Sequence, residues 1–274
     1  VRTIHFVTCG HLPAWLNTNH PKLHIVKHSD YIPKKYLPTF NSHTIEWNFH
    51  RIEGLSERFV YFNDDMFLFK PTSPEDFFLG NCPKDMLALQ PDVANIDNEV
   101  PYIYLNNTMT LAKYFDKREN MKKQPLSYFH PGYPLMYFCY NLLELAFPRF
   151  TGFYTVHGPS PLLLDTYRTL WKLEPDLLDS VCSHRFRSKE DISQYVLREY
   201  EKLRGNFHPA NVQKLCGYYN ISDDNNRLLK AITNKENQFL CLNDSNHKID
   251  FEKVKTEIQH AFESVFPEKS SFEL

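Results

Sequence analysis

Residues 59–69, FVYFNDDMFLF, set two adjacent carboxylates between runs of large apolar side chains. RFVYF is too uniformly apolar for a strand with one wet face, so it is expected to be a central strand covered on both sides. Asp64 and Asp65 then emerge where that strand stops. Buried without a partner, each would cost several kcal/mol. At about 4 Å apart they would repel by roughly 4 kcal/mol at an effective dielectric near 20. Either a cation sits beside them or they line a wet site.

The same pattern of apolar runs recurs along the chain. TIHFVTCG reads as a buried strand closed by Gly10, and LHIVKH as a second, short one. Ile45, Phe49 and Ile52 repeat at i, i+4 and i+7, which predicts a helix from His43 to Glu53 with Gly54 just past its end. Glu46, His50 and Glu53 form a second stripe on that helix, read as solvated. SPEDFF has helix-start chemistry, with Ser73 as cap, Pro74 first, and Glu75 and Asp76 in the positively polarised first turn. GFYTVHGPSP reads as a strand ending at His157, with Ser160 and Pro161 opening a Leu-rich helix. RSKEDISQYVLREYEKL opens with Ser188 three residues before Asp191, a capping-box spacing. QFLCLNDS is another apolar run that stops at Asn-Asp, and Phe251, Val254, Ile258, Phe262 and Val265 mark one side of a final helix. Residues 80–135 are less regular, and the charged run DKRENMKK reads as a solvated helix face. Strands alternating with helices predict an α/β fold with a largely parallel sheet.

The chain has 274 residues, enough for one large domain or two small ones, and 42% hydrophobic content supports a packed core. A net charge of −2 shows no basic bias toward nucleic acid. No apolar run approaches the roughly 18 residues of a membrane-spanning helix, and no signal peptide is visible. The six cysteines are scattered without a C-x-x-C pair, which suits free thiols in a reducing cytoplasm better than a disulfide framework. Neither G-x-G-x-x-G nor a Walker A loop is present.

In open α/β sheets the ligand crevice lies beyond the carboxyl ends of the strands. Asn63-Asp64-Asp65, His157 and Asn243-Asp244 fall at such ends, and they share one cleft if their strands are neighbours. Mg²⁺ is typically held by one or two carboxylates together with phosphate oxygens, which an N-D-D tip offers; the other reading is a turn whose side chains bond their own backbone. His157 suits proton abstraction near neutral pH or a core histidine bonded to backbone. Arg187, beside a predicted helix start, is either a phosphate cradle or a surface partner of Glu190 or Asp191. Asp191 reads as a cap, and Asn243 and Asp244 as turn or site.

Four blocks in this order, LPTFNSHTIEWNFHRIEGLSERFVYFNDDMFLF, VHGPSPLLLD, SHRFRSKEDIS and FLCLNDSNH, resemble the Stealth family of hexose-1-phosphate transferases. The resemblance extends over nearly all of residues 1–274, as a single catalytic domain with an irregular insertion at 80–150. It implies a Rossmann-like, glycosyltransferase-A-like core. It also implies transfer of a sugar-1-phosphate from a nucleotide-sugar donor to a hydroxyl of a polysaccharide acceptor, lipid-linked in some cases, with Mg²⁺ or Mn²⁺. By the same resemblance Asp64 and Asp65 match the acidic pair near metal and diphosphate, His157 the catalytic histidine, and Arg187 the phosphate-contacting arginine. Asn63, His50, Arg51, Asn243 and Asp244 fall in matched blocks and are expected to bind substrate. A cytoplasmic protein, peripheral at the inner membrane face, is the expected setting. The family's opening strand motif, which helps hold the donor, is not seen here, so this chain is expected to be a fragment with weakened donor binding. The rival readings are an ordinary glycosyltransferase and an inactive saccharide-binding module.

Overall fold

The computed structural model describes residues 1–244 and 249–274. Strands β1 (Ile4–Thr8) and β2 (Leu23–Lys27) pair in parallel, and the short helix α1 (His28–Tyr31) follows directly. Helix α2 (Ser42–Trp47) starts where the Asn41 side chain accepts the His43 N–H, a regular N-cap. It stops earlier than the periodicity predicts. The Asn48 side chain donates to the Thr44 carbonyl at 2.8 Å, a main-chain acceptor of the helix, and a 3₁₀ turn over Phe49–Arg51 takes over. Gly54, at φ +75°, turns the chain away.

Strand β3 (Arg58–Tyr61) and strand β4 (Met66–Leu68) flank the N-D-D segment but join different sheets. After β4 come α3 (Pro74–Phe77), capped by Ser73 and Asp76 as expected, then β5 (Phe78–Leu79), β6 (Cys82–Asp85) and β7 (Ala88–Leu89). Residues 80–150 are not irregular: they include α4 (Val100–Ala112), α5 (Lys117–Lys123), α6 (Pro125–Tyr128) and α7 (Leu135–Leu143). Lys117, within the charged run read as solvated, is buried and paired with Glu144 at 2.5 Å.

Strand β8 (Phe153–Tyr154) is short, and Ser160 and Pro161 belong to strand β9 (Ser160–Leu163), not to a helix. They face Tyr61 and Val60 of β3 across an antiparallel pair, where Pro161's missing donor is tolerated because β9 has one neighbour. Helix α8 (Leu164–Leu173) begins only after that strand, and α9 (Pro175–Ser183) follows it. The helix expected to open at Ser188 starts later, as α10 (Tyr195–Arg204); Asp191 does accept the Ser188 N–H at 3.0 Å, but its carboxylate also takes His43 and His184. The remainder is β10 (His208–Pro209), β11 (Cys216–Asn220), α11 (Asn226–Thr233), β12 (Phe239–Asn243) and α12 (Phe251–Val265).

The result is mixed α/β, with several small sheets in place of one largely parallel sheet. Parallel pairs join β1 to β2, β6 to β10 and β11 to β12, whereas β3–β9, β4–β12, β5–β6 and β7–β8 are antiparallel. The main core gathers Trp47, Leu87, Leu89, Tyr128, Tyr167, Leu178 and Val196. A second core lies under β4 and β12, where Val254 is buried and Ile258, Phe262 and Val265 pack on it, while Phe251 is exposed.

Candidate active site

The N-D-D segment is where the chain crosses from the β3–β9 sheet to the β4–β12 sheet. The Asn63 carbonyl accepts the Met66 N–H at 3.3 Å, and the Asp65 carbonyl accepts the Leu242 N–H at 2.9 Å. This pins Asp65 against β12, whose Cys241 thiol donates to Asp65 Oδ2 at 3.1 Å. His157 Nε2 lies 3.2 Å from the same oxygen. Asp65 Oδ1 is buried with no hydrogen-bond partner. Asp64, one residue earlier, is exposed.

His157 sits in the loop between β8 and β9, not at a strand end, and α10 holds that loop. Thr155 Oγ1 donates to Glu199 at 2.5 Å, and Arg198 donates to the Val156 carbonyl at 3.0 Å. Arg198 is itself locked by two bonds to buried Asp85, at 2.8 and 2.9 Å. From the first turn of α10, the Tyr195 hydroxyl reaches His157 Nδ1 at 2.6 Å. Burial raises the Tyr195 phenol well above its ordinary range, so it stays protonated, and its oxygen can accept from His157 Nδ1–H. With the ring hydrogen held at Nδ1, Nε2, the nitrogen that faces Asp65, has the lone pair able to take a proton, and once protonated it donates to Asp65.

Arg187 is exposed and steadied by Ser42, the first residue of α2, whose Oγ accepts from Nε at 3.1 Å and Nη2 at 2.9 Å. One turn on, Glu46 is buried and accepts from the Tyr61 hydroxyl at 3.0 Å. Burial raises the Glu46 carboxyl, against the opposing charges of His43, Arg187 and His157. The Asp65 carboxyl is opposed by burial, yet the hydrogen bonds from His157 and Cys241 and the charge of His157 together hold it below the usual carboxylate range. Burial and the bond to Asp65 push the Cys241 thiol up, so it remains a donor.

The remaining sequence-predicted residues divide. Asn243 bonds Asn220 at 2.8 Å at the end of β12, and Asp244 beyond it is exposed. The β4–β12 register carries both past Asp65 on the same edge. Asn63 is half-buried in the crossing itself. His50 and Arg51 are not in this cluster: the His50 ring stacks 5.8 Å from Tyr167, and Arg51 bonds Asn48 and lies over Trp171. Glu46, read as solvated, is instead buried and bonded to Tyr61.

Two family models match the chain: Stealth protein conserved region 2 over residues 1–85, and conserved region 4 over residues 230–274. Along its whole length the chain is 37% identical to a capsular polysaccharide phosphotransferase WcwK of Streptococcus pneumoniae, spanning 82% of that protein. It is 33% identical to the receptor polysaccharide phosphotransferase WefC of Streptococcus gordonii, spanning 81% of it. It is also 31% identical to the exopolysaccharide phosphotransferase cps2G of Lactiplantibacillus plantarum, spanning 80% of it. The chain belongs to the Stealth family. Its Stealth region 2 contains Glu46, Asp64 and Asp65, and region 4 contains Cys241, Asn243 and Asp244. His157, Arg187 and Tyr195 lie between the two matched regions, so the fold joins the two Stealth regions around residues neither contains.

The sequence reading missed Glu46, Cys241 and Tyr195. Cys241 lies inside the continuous apolar run FLCL of an ordinary core strand, and Tyr195 lies in a helix whose apolar spacing conceals it. Asp65, His157 and Cys241 each offer one ligand atom, all within 4.8 Å of one another, a set that could hold a metal ion. The partnerless Asp65 Oδ1 fits that use, because a buried carboxylate oxygen without a donor is costly unless something binds it.

Proposed function

We propose that this Stealth protein transfers a sugar-1-phosphate from a nucleotide-sugar to a hydroxyl of a glycan acceptor in capsular or extracellular polysaccharide synthesis, releasing a nucleoside monophosphate. The observation that carries the reading is the chain Tyr195–His157–Asp65, with an exposed Arg187 guanidinium held by Ser42. It matches what phosphoryl transfer demands: a proton acceptor for the incoming hydroxyl and positive charge at the transferred group. In this mechanism His157 Nε2 takes the acceptor proton as the acceptor oxygen bonds to the sugar-linked phosphorus. The bond from that phosphorus to the bridging oxygen breaks, and the nucleoside monophosphate leaves. Arg187, turned outward by Ser42, stabilises charge on the transferred phosphoryl. Asp64 and Asp65 would hold Mg²⁺ or Mn²⁺, which when bound neutralises the diphosphate. Asn63, Asn243 and Asp244 rim the same edge and contact donor or acceptor. His50 and Arg51 act only by fixing the end of α2 on α8.

The core is read as a glycosyltransferase-A-like variant of Rossmann layering, which the parallel β1–β2 and β11–β12 pairs support. A cytoplasmic setting accords with free thiols, and among the described residues no helix is long and apolar enough to cross a membrane. The deciding experiment incubates full-length protein with a panel of nucleotide-sugars and an acceptor glycan, then identifies the nucleotide released. Monophosphate is expected. Diphosphate would mean attack at the anomeric carbon by an ordinary glycosyltransferase, and no metal-dependent donor consumption would mean a binding module.

A further inference from the structure

The α5–α7 face carries none of the residues assigned above, yet it combines two unusual features. Helix α7 is fixed in rotation by buried Asn141, which donates to the Leu87 and Tyr128 carbonyls at 3.1 and 2.6 Å and accepts the Leu89 N–H at 2.8 Å. Tyr137 is buried on the same side. The opposite side presents Leu135, Met136, Cys139, Leu142 and Leu143, spaced i, i+1, i+4, i+7 and i+8. Leu135 is 76% exposed and Leu143 65% exposed, and the exposed apolar surface continues through Leu145 and Phe147. A contiguous apolar stripe of this kind on a folded protein marks an interaction surface.

The second feature is charge. Residues 113–150 contain six basic and three acidic residues, net +3, in a chain of net −2, so the remainder carries −5. Buried Lys117 ties α5 to the turn after α7 by donating to the Glu144 carboxylate at 2.5 Å and to the Phe147 and Arg149 carbonyls at 3.3 and 3.2 Å. The exposed Arg118, Lys122 and Lys123 thus lie on a helix that Lys117 ties to the end of the stripe, where exposed Arg149 also sits, and one of the segment's three acids, Glu144, is buried. Apolar side chains on one helix face with cations beside them are the chemistry of an in-plane membrane helix on anionic lipid.

We propose that the α5–α7 unit docks this protein on an anionic bilayer surface, with the leucines of α7 seated at the headgroup–acyl boundary and the α5 cations on lipid phosphates. The proposal goes beyond the transfer reaction and is independent of it: vesicle binding and product nucleotide can each fail alone. For the proposed transferase, docking would hold the protein where lipid-carried glycans lie.

The test is co-sedimentation of full-length protein with phosphatidylcholine vesicles, with and without phosphatidylglycerol. Binding is expected to require phosphatidylglycerol and to weaken as salt rises. The double variant Leu142→Asp/Leu143→Asp should lower vesicle partition by at least about tenfold, because charged side chains cannot enter the acyl boundary. Lys122→Glu/Lys123→Glu should lower it by about tenfold, because the headgroups then repel α5. Both should keep the wild-type melting temperature and turnover of a soluble acceptor. A Leu142→Trp variant should gain quenching by brominated acyl chains relative to wild type. The proposal is overturned if wild-type protein ignores anionic vesicles, or if either double variant binds like wild type. It is also overturned if light scattering shows a dimer that the leucine variant splits, since a second copy then covers the stripe. Blue-shifted emission from Leu142→Trp without vesicles would likewise sink it, because another part of the full chain then covers that face.

Discussion

Asp65 and Asp191 are both aspartates bonded to histidine, and in both the carboxyl is held below its usual range. They differ in what is left unused. Asp191 is fully buried and saturated on both oxygens: Oδ1 takes His184 at 2.6 Å, and Oδ2 takes His43 at 3.0 Å, Asn41 at 2.9 Å and the Ser188 N–H at 3.0 Å. Asp65 is half-exposed, and both its side-chain bonds fall on Oδ2, leaving Oδ1 without a donor. A saturated buried carboxylate has no capacity left for a ligand, so Asp191 joins α2 to the 184–191 segment and does nothing more. An unsaturated one stands ready for a partner, at a cost in stability that a substrate complex can recover.

Substitutions can break this contrast. The largest effect is expected at the unsaturated site, where His157→Ala should lower kcat by about 10³-fold, within the usual range for a missing acid–base group. Its melting temperature should stay near wild type; unchanged turnover would remove His157 from the chemistry. Asp191→Ala should do the reverse, because it strands four donors, of which His43 and Asn41 are buried. A loss of about 3 kcal/mol in a urea titration is expected, and a stable variant with ruined catalysis would show that the two carboxylates had been assigned the wrong way round. Tyr195→Phe removes only the bond that orients His157, so kcat should fall about tenfold while KM for the donor holds. A KM rise with kcat intact would make Tyr195 a substrate contact instead.

The smallest effect sharpens the contrast from a histidine bonded to neither aspartate. His50 is packed among Tyr167 and Trp171, and burial, with Arg51 beside it, lowers its pKa from 6.5 to about 4. The folded state thus resists a proton that the unfolded chain accepts between these values. Stability is greater above pH 6.5 and falls as pH drops toward 4. His50→Phe should flatten the fall in melting temperature between pH 7 and pH 5; an equally steep fall would place the sensitive group elsewhere.

Local chemistry in the sequence proved legible where one segment contains the whole cause. The Ser73–Asp76 cap, the start of α2 and the Val254–Val265 side of α12 are all set by residues within a turn or two of each other. Ser160-Pro161 misled because a helix-start pattern and a strand edge look alike until the partner, β3, is known. Residues 80–150 looked irregular because their polar positions, Asn141, Lys117 and Asn120, are buried and bonded rather than solvated.

By itself the sequence determined that apolar strands end in polar tips and that Asp65, His157 and Arg187 carry groups able to do phosphoryl chemistry. Only the tertiary structure decided which carboxylate meets the imidazole, that Tyr195 orients it, and that Glu46 is buried with the Tyr61 hydroxyl as its donor. The reason is range. Asp65 bonds His157 across 92 positions and Cys241 across 176, and hydrogen-bond partners that far apart leave no trace in local periodicity or composition.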